Sequence, residues 1–302
     1  MTGCTACNST KNTLLHSMKG FDLVKCEDCG LAYVANPPDE AYLTSLYSAE
    51  NGNYHTQLFD ADSEDARRMA RIAGNHMRFL SRVADEGRLV DVGCSTGSFL
   101  ELADRAGFAA SGVEFSADSA RVATLRTGLN IETGGIHNCR LPEGSIDVLT
   151  MFDVIEHVPD PAEDLARAFA LLRPGGWLVL STPNIDGLFP RASQPLAKVL
   201  NYWPHPEAPY HLFQFSVATL SALVSAAGFE PGPVEHHAID LAYSFGTLRN
   251  LLKSPKRLAY AAAFAPLAKL GPLVQQGDWF YLAARKPLAC EATPPQRMPR
   301  AA

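Results

Sequence analysis

From residue 88 onward, short apolar runs alternate with amphipathic segments. The runs at 88–94, 109–115, 145–152 and 176–182 read as buried strands, with a weaker one near 131–134. Segments with three- and four-residue apolar steps follow them at 97–106, 117–126 and 161–172. Strand-then-helix alternation predicts a parallel sheet with helices on both faces. After a long insertion, a helix at 217–227 leads through Gly228-Phe229 to a strand at 232–238, and the last strand runs 278–285. These two are expected to form an antiparallel edge. Upstream, Met69, Ile72, His76, Phe79, Leu80 and Val83 recur at helical spacing over 62–84. Arg67, Arg68, Arg71 and Arg78 fall mostly opposite them and read as a solvated face, and Gly87 ends the segment.

The first 35 residues have a different pattern. Cys4-x-x-Cys7 and Cys26-x-x-Cys29-Gly30 flank short apolar runs at 14–16 and 21–24. Two such pairs bring four thiolates to one tetrahedral ion, for which zinc is the default and a structural role follows from the closed ligand set. Iron in a rubredoxin-like site is the lesser alternative. Gly30 suits a tight knuckle turn. Asn36-Pro37-Pro38 ends this module, Asp39 is placed to cap a short helix, and Asn51-Gly52-Asn53-Tyr54-His55 reads as a polar lid or an ordinary connector. The expected organisation is a metal-binding module over 1–35, a helical linker over 36–86, a main domain over 87–287 and a disordered tail over 288–302. Insertions at 184–216 and 239–276 interrupt the main domain.

The candidate chemistry centres on Val90-Asp91-Val92-Gly93-Cys94-Ser95-Thr96-Gly97, a strand, a tight turn and a helix start. Glycines at both ends of the turn let backbone approach a ligand closely. A phosphate gains little from a carboxylate at Asp91, whereas a ligand bearing an ammonium and a sulfonium does. The Asp-x-Gly-x-x-x-Gly spacing therefore favours S-adenosylmethionine over a dinucleotide, against the plainer reading of a structural turn.

Taken as a set, the motifs over 88–285 resemble class I S-adenosylmethionine-dependent methyltransferases. The matching stretches are the Asp91–Gly97 turn, Glu114 at the end of the second strand, Asp153-Val154-Ile155-Glu156-His157-Val158, Leu171-Leu172-Arg173-Pro174-Gly175-Gly176, and His211-Leu212 leading to Phe215-Ser216. The cysteine-rich opening is similar to a subgroup that includes sugar C-methyltransferases and natural-product or cell-envelope methyltransferases. The resemblance implies an α/β, Rossmann-like, doubly wound seven-stranded sheet with antiparallel last strands, plus a small zinc-ribbon-like module. It implies Asp91, Gly93, Cys94, Ser95 and Gly97 at the methionine end of the donor, and Glu114 on the ribose. It implies Phe115, Ile136 and His137 beside the adenine, with Phe152 and Asp153 at the fourth strand's tip. Two departures stand out: Ser95 replaces a common middle glycine, and no Asn-Pro-Pro-Tyr follows the fourth strand, which weakens a nucleobase or glutamine acceptor.

A hydroxyl acceptor must lose a proton, so a base is expected, with His157, His211 and Tyr210 as candidates against structural roles at helix starts. The expected reaction is O-methylation of a sugar or secondary metabolite. The alternatives are C-methylation of a nucleotide-linked keto-sugar and a zinc ribbon that docks a macromolecular partner. His205, in an aromatic and proline-rich stretch, is expected to line the acceptor site, and His236-His237 to be surface residues. Composition narrows the classes only modestly. The 302 residues carry 47% hydrophobic and 19% charged positions, ordinary for a globular protein. A net charge of -6 argues against a nucleic-acid partner. Seven cysteines without a leader-like apolar start suit a reducing, cytoplasmic setting. The basic amphipathic stretch 239–276 offers three roles: peripheral contact with an anionic membrane, closure of the active site, or pairing of two subunits.

Overall fold

The computed structural model describes residues 3–46, 64–200, 202–239, 244–246, 248–288 and 298. Two sheets organise the described residues. The larger has seven strands. In chain order these are β4 (Arg88–Val92), β5 (Ala109–Glu114), β6 (Ile131–Thr133), β7 (Ile146–Phe152), β8 (Leu172–Pro183), β10 (Glu230–His237) and β11 (Trp279–Arg285). Their spatial order is β10-β11-β8-β7-β4-β5-β6. The order reverses between β4 and β7, where ligands of open α/β sheets bind beyond the strands' carboxyl ends. β11 pairs antiparallel with both β8 and β10. Thus β11 alone among the seven runs against the rest, and β10 is an edge strand in the common direction.

Strict alternation along the strands separates the two cores, because successive side chains leave opposite faces. Leu89, Val148, Val179, Tyr281 and Ala283 point to one face and are covered by α2 (Glu64–Leu80) and α3 (Ser98–Arg105). Val90, Leu149, Leu178, Leu180, Phe280 and Leu282 point to the other, under α5 (Pro161–Leu171) and α7 (Val217–Ala226). The helix starts are held by local side chains. Ser116 caps α4 (Ala117–Thr127), Asp160 caps α5 and Ser216 caps α7. Asp39 accepts from the Tyr42 N–H in the first turn of α1 (Glu40–Leu46), as its position suggested.

The smaller sheet has the order β1-β2-β3-β9. β1 (Asn12–Met18), β2 (Phe21–Cys26) and β3 (Ala32–Val34) come from the cysteine-rich module. β9 (Phe213–Gln214) comes from the insertion 184–216 and pairs Phe213 with Tyr33 and Gln214 with Ala32. The module is therefore not an independent appendage. Its Leu31 and Tyr33 share one core with Leu212, Phe213 and Phe215. Met298, the described part of the tail region beyond residue 288, is buried there and donates its N–H to the Ala6 carbonyl.

The insertions form a third layer. α6 (Leu188–Leu200) packs through Phe189 against Phe245, Tyr260 and Phe264; the last two belong to α9 (Pro255–Leu270), which follows the short α8 (Leu248–Leu251). Much of the apolar character of 239–276 is thus spent on α6, although Leu252, Leu258, Leu270, Leu273 and Val274 stay exposed. No described helix is long and apolar enough to cross a membrane. The stretch 51–55 expected to form a lid lies outside the described residues.

Candidate active site

β4 and β5 end side by side, and their last acids set the charge of the site. Asp91 is buried, and its Oδ1 accepts from the Thr150 hydroxyl at 2.6 Å on the neighbouring β7. Burial pushes its carboxyl up to about 7; the Thr150 hydrogen bond opposes this and the Glu114 charge adds to it. Glu114 is also buried and held above its ordinary range by desolvation, against backbone N–H donors. Its two oxygens accept from Ser116 N at 2.9 Å and Ser95 N at 2.8 Å.

That second bond explains the shape of the turn. Gly93 and Gly97 have φ 77 and 79, and Ser95 between them has φ 50. This left-handed conformation favours glycine and is costly for a residue with a side chain. Side chains at Gly93 and Gly97 are excluded on steric grounds too: a Cβ at Gly93 would collide with Val154, and one at Gly97 would lie 2.9 Å from Thr127 Cγ2. The middle glycine of the resembling family marks a backbone conformation that Ser95 adopts here under the pull of Glu114.

A cavity of about 700 Å³ opens over this turn. Its volume is ordinary for a small-molecule site. Asp91, Gly93, Cys94, Ser95, Phe152 and Asp153 all line it, as do His157, Tyr210 and His211. The structure therefore brings the expected donor turn and the three expected bases into one cleft. Glu114, Phe115, Ile136 and His137 lie outside its lining. Phe115 is exposed, Ile136 is buried, and His137 is engaged with Asp164 Oδ1 at 2.9 Å. Gly97 sets the start of α3 just behind the turn.

The fourth strand's tip is tightly tied. Asp153, at φ 54, accepts at Oδ1 from Trp279 Nε1 at 2.6 Å and from the Ser181 hydroxyl at 3.1 Å. Burial raises its carboxyl to about 6, with those two hydrogen bonds opposing. Next to it, Glu156 is buried; desolvation first, then the Asp153 charge, pushes its carboxyl well up, and nearby Thr182 offsets this in part. His157 Nδ1 donates to the Tyr210 carbonyl at 2.8 Å. The carbonyl can only accept, so Nδ1 carries a proton. The His157 and His211 rings meet edge to face at 4.7 Å. His211 Nε2 lies 3.9 Å from Glu207 Oε2.

Three expectations are corrected. Arg68 and Arg71 are not simply a solvated face: both line the mouth of the cleft, because α2 crosses it. His237 is not a surface residue. It lines the cleft, bonds Glu235 Oε1 at 2.7 Å and packs edge-on to Trp279 and Tyr281. His205 does not line the cleft; it is buried between Trp203 and Phe189, and desolvation lowers it to about 3. One wall residue carries only a core signature in the sequence. His76 of α2 stacks on Phe152 at 4.0 Å, with Nδ1 2.7 Å from the Tyr281 hydroxyl, and burial lowers it to about 3. Its helical spacing gave only the core signal, which is also correct.

In the N-terminal module, Cys4, Cys7, Cys26 and Cys29 converge. Their sulfurs lie within 4.8 Å of one another, with Cys4–Cys29 and Cys7–Cys26 each 3.6 Å apart. A tetrahedral ion with zinc–sulfur bonds of about 2.3 Å spaces its sulfurs about 3.8 Å apart, so the set can hold one. The hydrogen bond from Cys29 lowers Cys4 to about 5, whereas burial lifts Cys7 to about 11.

A seven-stranded sheet with one reversed strand, and buried acids at adjacent strand ends over a glycine turn, define an S-adenosylmethionine-binding α/β domain. The model of the methyltransferase-domain family matches residues 63–233. The chain belongs to that family and carries an S-adenosylmethionine-dependent methyltransferase domain. A probable S-adenosylmethionine-dependent methyltransferase of Mycolicibacterium smegmatis is 32% identical over 145 residues, which are 47% of this chain and 51% of the relative. The alignment thus spans about half of that relative's length. A ubiquinone biosynthesis O-methyltransferase of Bordetella bronchiseptica is 31% identical over 182 residues, 56% of this chain and 75% of the relative. Among solved structures, an S-adenosylmethionine-dependent methyltransferase of Archaeoglobus fulgidus matches with a TM-score of 0.51 and 18% identity, over 72% of this chain and 94% of that one. At that identity the likeness speaks for the fold.

Proposed function

We propose that the chain transfers the methyl group of S-adenosylmethionine to a hydroxyl of a small-molecule acceptor, a sugar or secondary metabolite. The observation that carries this is the continuity of the cleft from the Asp91–Gly97 turn to the Glu156–His157–Tyr210–His211 corner. The donor supplies an electrophilic methyl on a sulfonium, and the reaction is an in-line displacement. The protein's task is alignment and exclusion of water. Asp91 faces the donor's ammonium, the backbone around Gly93 receives its carboxylate end, and Glu114 reaches the ribose by exchanging its bond to Ser95 N. Phe115 flanks the adenine. Phe152, stacked on His76, walls the methionine end.

The acceptor's proton leaves in the His157–Tyr210–His211 corner. Similarity to O-methyltransferases such as the Bordetella relative favours oxygen over carbon. The docking reading of the cysteine module is disfavoured by its position. β3 accepts β9 as a fourth strand, and the β9 segment in turn donates from Leu212 N and Phe213 N to the Glu156 carbonyl. The module therefore braces the segment that carries Tyr210 and His211, and a structural zinc on Cys4, Cys7, Cys26 and Cys29 would fix that brace. The test is incubation of the purified chain with methyl-labelled S-adenosylmethionine and a panel of phenolic and sugar acceptors. Label in an O-methyl ether supports the reading. Label on carbon, or binding of NAD in place of the donor, contradicts it.

A further inference from the structure

Glu156 stands where a carboxylate is costly. It is 1% exposed, and no well-formed hydrogen bond reaches either of its oxygens among the described residues, only the nearby Thr182 side chain easing its burial. A buried charge in that situation needs an opposite charge or a proton. The residue is also held in place, because its carbonyl accepts both the Leu212 and the Phe213 N–H, at 2.8 and 3.1 Å.

Two imidazoles share this corner. One ligand atom each from Glu156, His157 and His211 lies within 4.8 Å of the others. The His157 ring is oriented from behind, by Nδ1 donating to the Tyr210 carbonyl. A carboxylate, Glu207, stands 3.9 Å from His211 Nε2. The carbonyl behind the His157 ring is the usual support of a metal-bound histidine, and Glu207 adds a negative charge near His211 without a hydrogen bond to it. The set lines the cleft beside Asp153 and the donor turn, so further coordination positions face the cavity.

We propose that Glu156, His157 and His211 bind one divalent cation, and that this ion takes the acceptor hydroxyl as an open-position ligand. One oxygen and two nitrogen donors suit ions of the manganese-to-zinc series, and three protein ligands leave room for an exchangeable oxygen. The second half of the proposal rests on the methyl-transfer reading above; the ion site itself does not. Bound to the ion, the acceptor hydroxyl releases its proton to water more readily. The resulting oxygen forms a bond to the donor's methyl carbon, and the carbon–sulfur pair returns to sulfur as a neutral thioether. The two histidines then act as ligands, and neither is the base. The acceptor class narrows to molecules that present a hydroxyl with a neighbouring oxygen, which together chelate the ion.

Equilibrium dialysis against Mn2+ and against Zn2+, with the full chain and with Glu156→Gln and His211→Asn, tests the ion site. The cysteine cluster contributes equally to all three proteins, so the difference in stoichiometry isolates the cleft. The expected result is one ion more per chain in the parent than in each variant. Calorimetric affinity for S-adenosylhomocysteine should agree within about twofold across the three, since a tenfold change would mean about 1.4 kcal/mol lost at the donor turn. Thermal midpoints check folding, and His211→Asn carries the comparison if Glu156→Gln does not fold. Equal stoichiometry with both ions in parent and variants overturns the site. A parent that counts the extra ion yet binds no donor overturns the methyl-transfer reading and leaves the ion site standing.

Discussion

Asp91 shows how one side chain carries information that no pattern of apolar positions holds. Its spacing to Gly93 and Gly97 marked a cationic ligand in the sequence, but its protonation is a property of the fold. Burial lifts it to about 7, above its ordinary value. In the donor-free chain the proton is therefore retained between about pH 4 and 7, and the stability gained by staying neutral is lost as pH rises through that window. The donor's ammonium requires the carboxylate. Affinity for S-adenosylmethionine should accordingly fall as pH drops below about 7, by up to about tenfold per unit, and Asp91→Asn should bind weakly and show a flat profile. Calorimetric titration from pH 6 to 8.5 measures it; a flat profile in the parent contradicts the assignment. Ser95 is a second case. Its replacement of glycine was visible in the sequence, but the left-handed φ and the pull of Glu114 on its N–H were not. Ser95→Gly removes about 1 kcal/mol of backbone strain, against the entropy that glycine costs in the unfolded chain. The thermal midpoint should stay within a few degrees and donor affinity should be kept. A tenfold loss of affinity would give the Ser95 side chain a direct role.

Elements paired across long sequence distances were the least legible. Strands β4 to β8 follow from local alternation, and their observed bounds differ from the expected ones by few residues, the largest shift being the start of β8 at Leu172. The strand β9 gave no signal, because two residues have no periodicity; only pairing with Tyr33 and Ala32 defines it. That pairing joins the cysteine module to His211. If an ion holds Cys4, Cys7, Cys26 and Cys29, removing it by a strong chelator should loosen β9 as well as the module. Amide exchange at Leu212, Phe213 and Gln214 should speed up, and the thermal midpoint should fall. Exchange that rises within 3–34 but not at 212–214 would show that the two elements are uncoupled. Phe213 is fully buried in the same junction, so Phe213→Ala should cost about 3–5 kcal/mol in denaturant unfolding. The arginines of α2 teach a related lesson. A helix can bury one face and still present part of its polar face to a cleft, and helical spacing does not separate that polar face from open solvent.

At the scale of the whole molecule, the sheet order and the single reversed strand place the buried Asp91, a glycine turn and a histidine corner around one cavity, with a second buried acid, Glu114, bonded to the turn. The sequence indicated every one of these parts but not their distances, since Asp91 and His211 are brought together only by the sheet and by the insertion that closes over it. The account as a whole depends on the cavity's first end being made for a sulfonium donor. Titration of S-adenosylmethionine into the parent chain and into the Asp91→Ala, Glu114→Ala double variant tests this most directly, with circular dichroism confirming the fold of both. The account predicts one donor per parent chain and an affinity at least a hundredfold weaker in the variant, about 2.7 kcal/mol. Equal affinity in the two proteins would contradict it.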